Sequence, residues 1–133
     1  MKAYVLAYLA AAGVFAVLDA IWLTLAGARL YRPALAPLLT EGFRLPPAVA
    51  FYVLYIAGVV IFAVSPAFRT GQWTTAALMG ALFGFFCYAT YDLTNHATLK
   101  LWPWKITVID IAWGTTLTGV TALVAYLVAR RFL

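Results

Sequence analysis

Residues 88–113 read YATYDLTNHATLKLWPWKITVIDIAW, from Tyr88 to Trp113. This stretch decides between a soluble helical hairpin and a membrane hairpin. It joins the end of one apolar segment to the start of another through a tight Trp102-Pro103-Trp104 corner. Each arm carries one acid, Asp92 and Asp110, and the arms continue outward for many residues with no lysine or arginine. A soluble hairpin would alternate apolar and charged faces with the helical period. These arms do not. Apolar on nearly every side, they are expected to cross a bilayer.

The rest of the chain agrees. Of its 133 residues, 66% are hydrophobic and only 10% charged, where a soluble domain carries about a quarter charged, and the mean hydropathy is +0.97. Four stretches, near 3–26, 47–65, 74–99 and 106–129, approach or exceed the roughly 20 residues needed to span the hydrocarbon core. The expected fold is all-α: a polytopic membrane protein, a bundle of four transmembrane helices, forming a single domain over 1–133. Lys2, the first apolar run and Ala26-Gly27-Ala28 resemble a signal peptide with its cleavage site. The length of the run and Asp19 within it favour a retained helix.

The net charge of +5 does not point to nucleic acid, because the nine basic residues fall at segment ends and in loops rather than in a stripe. There they can meet lipid headgroups. Orientation stays open, with Arg29, Arg32, Arg44, Lys100 and Lys105 on one side against Lys2, Arg69, Arg130, Arg131 and the terminal amine on the other. The single cysteine, Cys87, has no partner for an internal disulfide. Residues 27–46, with Pro33 and Pro37, form the one long connection, expected to hold a short helix in the membrane interface. The stretch 66–73 is expected to be a loop.

Three of the four acids lie inside apolar spans: Asp19, Asp92 and Asp110. Helices one and three end on the side where helices two and four begin. At 1.5 Å per residue the three carboxylates should lie within roughly one helical turn of the same depth. On helix three, Ala76, Gly80 and Gly84 recur every four residues, a row that lets another backbone approach. The row continues as Tyr88, Asp92 and His96, with Tyr91 and Asn95 beside it. Helix four carries a matching stripe of Thr107, Asp110, Gly114, Thr118 and Thr121. The expected result is an inward carboxylate layer roofed by Trp102, Trp104 and the long connection.

Acids within a bilayer are expensive, about 2.5–3.5 kcal/mol each at a helix centre, and three ionised together would repel. Protonation, a bound cation, or pairing with Arg29, Lys100 or Lys105 would each offset this. The candidate polar site comprises Asp19, Trp22, Tyr88, Tyr91, Asp92, Asn95, Asp110 and Trp113, with His96, Tyr52, Tyr55, Lys100 and Lys105 as secondary candidates. It would bind or transport a proton, a small cation or a small polar solute. Two other classes stand beside it: a membrane-embedded enzyme acting on a lipid or apolar metabolite, and a structural subunit whose acids lock helices together. No metal is expected, since one histidine and scattered aspartates make a poor ligand set, and no cofactor is expected either. No span holds a lysine for a Schiff base, and no phosphate loop, Cys-x-x-Cys or Ser-His-Asp pattern is present. Trp73, Trp102 and Trp104 read as an interfacial belt. The expected partners are membrane lipid, a small ligand or proton, and, where a wider path is needed, further copies of the chain in a homo-oligomer.

The motifs as a set resemble the bacterial family of small four-helix membrane proteins called domain of unknown function 2177. The likeness lies in Leu18-Asp-Ala-Ile-Trp22, Tyr88-Ala-Thr-Tyr-Asp-Leu-Thr-Asn95, Ala97-Thr-Leu99, the Trp-Pro corner and Asp110-Ile-Ala-Trp-Gly114. It implies a multi-pass protein of the bacterial inner membrane and brings no activity with it. The family pattern is apolar at His96, so the resemblance implies no shared role for that residue.

Overall fold

The computed structural model describes residues 1–133 and is helical almost throughout. The helices are α1 (Lys2–Ala26), α2 (Arg32–Leu35), α3 (Leu45–Val59), α4 (Ser65–Thr70), α5 (Trp73–Thr98) and α6 (Trp104–Ala129). They group into four stretches long and apolar enough to cross a membrane: Lys2–Leu38, Leu45–Thr70, Trp73–Thr98 and Trp104–Phe132. The protein is a multi-pass, all-α membrane protein.

Two spans run further than their prolines suggested. The chain leaves α1 through a widened π-type turn, Gly27–Tyr31, before α2 and Pro33. It leaves α3 through a second one, Val60–Val64, before α4 and Pro66. A proline inside a helix lacks an N–H and crowds the carbonyl four residues back. A π turn just upstream shifts the bonding register and relieves both. Residues 66–70 therefore continue helix two instead of forming a loop, and the turn at Gly71 takes the left-handed conformation (φ 69°) that closes a helix. The long connection holds α2 and a short 3₁₀ turn, Ala36–Leu38.

The most enclosed span is α6; the first span is the least. α6 packs most extensively against α5 and also along α1, while the Val60–Val64 turn seats the second span against α5. The small-residue row of α5 faces α6. A Cβ added at Gly80 would stand 2.6 Å from the Ala122 methyl and 2.9 Å from the Thr118 carbonyl oxygen. At Gly84 it would meet the Gly114 carbonyl oxygen and lie 2.7 Å from the Thr118 side chain. Only glycine permits this approach, which dispersion contacts stabilise where no hydrophobic effect operates between helices.

The apolar core runs from Ala7, Ala11 and Phe15 on α1 through Ile56 and Val59 to Leu117 and Ala125 on α6. A smaller cluster at the other end joins Leu35 to Trp102 and Ile106. Between the two lies the polar layer.

Candidate functional site

Asp19, Asp92 and Asp110 line one cavity of about 210 Å³. Trp22 and Trp113 wall it as a parallel stack, centroids 4.5 Å apart and planes 8° from parallel. Tyr88 and Tyr91 form a second side. Tyr31, Leu35 and Trp102 close the end toward the connection. Neither lysine expected nearby takes part: Lys100 and Lys105 are exposed and do not line the cavity.

The three carboxylates are not equivalent. Asp19 Oδ2 accepts a hydrogen bond from the Tyr52 hydroxyl on α3 at 2.5 Å. Asp110 Oδ1 accepts one from the Tyr31 hydroxyl at 2.6 Å, and the Tyr31 oxygen in turn accepts from Trp22 Nε1–H at 3.1 Å. Both acids are half-buried. Asp92 is fully buried, at 0% exposure; no hydroxyl or N–H donates to its oxygens, and its side-chain hydrogen-bonding neighbour is the Asp110 carboxyl, a contact that needs a proton shared between the two acids. The indole N–H of Trp113 is buried and unpartnered. Inside a protein such groups are almost always paired, because an orphan keeps its full desolvation cost.

The remaining candidates divide. Tyr55 is buried and bonds the Thr118 hydroxyl at 2.8 Å, which ties α3 to α6 below the acids. Asn95 is half-buried but does not line the cavity. His96 is exposed, with Nδ1 lying 3.0 Å from Thr107 Oγ1, which also accepts from Trp102 Nε1–H. That bonding turns His96 away from the acids. No cluster of three His, Cys, Asp or Glu side chains is arranged to hold a metal ion.

Sequence reasoning missed Tyr31 and misplaced Trp102. The connection is expected to hold a short helix in the membrane interface, separate from helix one, whereas the π turn carries the helix onward and brings the Tyr31 hydroxyl to Asp110. Trp102, read as a belt residue, is buried beneath Leu35, while Trp104, read as part of the roof, is 70% exposed. Pro103 sits between them at the start of α6 and points the two rings apart.

Removing the tyrosine hydroxyls should rank these bonds. Tyr52→Phe leaves one carboxylate oxygen without its donor and is expected to cost about 0.6 kcal/mol, the average for such bonds in membranes. Tyr31→Phe orphans both Asp110 Oδ1 and Trp22 Nε1, so a loss of about 1–2 kcal/mol is expected. Reversible unfolding in mixed micelles measures both, and equal losses would mean the Trp22–Tyr31–Asp110 chain is not coupled.

A family of membrane proteins, described as "Predicted membrane protein (DUF2177)", matches residues 4–127, nearly the whole chain. The chain belongs to this family. The match takes in every acid lining the cavity and both stacked tryptophans, so this DUF2177 protein carries its polar layer within the region that defines the family. No curated protein and no solved structure matches.

Proposed function

We propose that the cavity around Asp92 is a binding site within the membrane for a proton or a cationic, hydrogen-bond-donating group, used to bind or carry that group between the helices. The observation that carries this reading is the wholly buried Asp92 carboxyl, which no hydroxyl or N–H of the protein reaches and which meets only the Asp110 carboxyl, in a cavity that Asp19 also lines. Two carboxylates in such contact cannot both stay ionised in a buried site, and a shared proton, or a ligand that donates to them, offsets the cost. Asp19 and Asp110 already have tyrosine donors and set the negative field. A proton or an organic cation suits the site better than a metal ion, since no set of metal-ligating side chains converges.

Dicyclohexylcarbodiimide tests this. The reagent is apolar and adds to protonated carboxyl groups, leaving a stable acylurea. In protein reconstituted into bilayers, peptide mapping should find Asp92 modified and Glu41 in the exposed connection unmodified. Modification should fall as pH rises and deprotonates the target, and fall further with methylammonium. Absence of adduct at Asp92, or an adduct indifferent to both pH and methylammonium, would overturn the proposal.

A further inference from the structure

A second cavity, of about 340 Å³, adjoins the first. The two share Tyr88, Tyr91 and Asp110 in their linings and so lie side by side, with those side chains between them. The second lobe adds Phe51, Tyr55 and Cys87, and apart from Asp110 its lining is hydrophobic. Its rim is open: Phe51 on α3 is 43% exposed and Tyr91 on α5 is 57% exposed. Both helices lie within membrane spans, so this opening faces hydrocarbon rather than water.

The unpartnered groups of the polar lobe specify what would complete it. Asp92, which meets only the Asp110 carboxyl, offers acceptor capacity that no hydroxyl or N–H of the protein fills, and Trp113 offers one N–H donor. An alkylammonium or a proton satisfies the first only. A hydroxyl beside an amine satisfies both, and the positive charge matches three acids with no lysine or arginine among the lining residues. At roughly 30 Å³ per water-sized group, the polar lobe holds a head of a few heavy atoms. The apolar lobe holds a chain on the order of ten carbons.

Resting on the carboxylate site above, we infer that the ligand is a single-chain amphiphile with an amino-alcohol head, seated with its head at Asp92 and Trp113 and its chain in the Phe51–Cys87 lobe, entering sideways from the bilayer. Sideways entry requires no aqueous path through the bundle.

The test uses the full chain in nanodiscs of phosphatidylcholine and phosphatidylglycerol, with probes dosed per mole of bilayer lipid so that simple partitioning cancels. N-dodecylethanolamine is expected to bind at one per chain and to protect Asp92 from carbodiimide. Dodecylamine, lacking the hydroxyl that accepts from Trp113, should bind about tenfold more weakly, the worth of one hydrogen bond. Cys87→Phe, which fills the apolar lobe, should weaken N-dodecylethanolamine about tenfold or more. If free ethanolamine protects Asp92 as well as the long-chain probe does, the carboxylate site stands and the amphiphile inference falls. If no probe binds or protects, both readings fall. Should Cys87→Phe not fold, the ranking of the three probes on the wild-type protein decides alone.

Discussion

Asp92→Leu is expected to raise the stability of the ligand-free protein by about 1–3 kcal/mol while abolishing ligand protection and binding. An aspartate costs about 2.5–3.5 kcal/mol against an apolar residue at the centre of a membrane helix and less toward its end, and here only the Asp110 carboxyl can offset that cost. Leucine removes the polar group while keeping the same branching, and the adjoining cavity gives room to its two methyls, which are bulkier than the oxygens they replace. Asp92→Asn keeps the shape and a polar head, so its stability should stay within about 1 kcal/mol of wild type, again with binding lost. A carboxylate serving as glue between helices would behave in the opposite way, with both substitutions destabilising by about 0.6–1.7 kcal/mol. Unfolding in mixed micelles, measured beside N-dodecylethanolamine binding on the same preparations, separates the two cases. Stability gained as binding is lost marks a group kept for its ligand. Stability and binding lost together would return Asp92 to a structural role.

The contrast among the three acids also shows how far the sequence could be read. Four spans follow from apolar length alone, since nothing but a membrane accommodates so many lipid-facing side chains. The row Ala76, Gly80 and Gly84 announces close packing because its spacing repeats every helical turn, and in the fold it meets α6. Its continuation, however, changes character: Asp92 is buried while His96, one turn further on and close to the end of α5, is exposed. The two tyrosine donors were not equally visible. Tyr52 stands in a regular helix whose phase can be counted. Tyr31 ends a π turn, Gly27–Tyr31, which adds a residue to the turn and shifts the phase of the chain there. No counting at 3.6 residues per turn places its hydroxyl on Asp110. The same phase shift, in Val60–Val64, hid the helical course of 66–70. Local backbone wideners leave little trace in composition, and both precede prolines that ordinarily signal a stop.

Gly84→Ala is expected to cost about 3 kcal/mol or more. The new Cβ would meet the Gly114 carbonyl oxygen, which is backbone, and stand 2.7 Å from the Thr118 side chain. A flexible side chain could swing aside, but a helix backbone cannot, so α5 and α6 must separate. Separation strains the Tyr55–Thr118 hydrogen bond and the seat of Tyr88, whose ring packs so closely over Gly114 that no Cβ fits there. Since Tyr88 walls both lobes, ligand binding should weaken along with stability. Gly13→Ala supplies the control. Gly13 is exposed on α1, with nothing within 4 Å of its added methyl. There the better helix propensity of alanine should leave the protein unchanged or more stable by up to about 1 kcal/mol. The same chemical change is thus expected to have opposite signs at two glycines, and thermal unfolding of both variants in identical detergent measures the difference. If Gly84→Ala proved as mild as Gly13→Ala, α5 and α6 could not lie as close as described, and the cavity built on their contact would have to be redrawn.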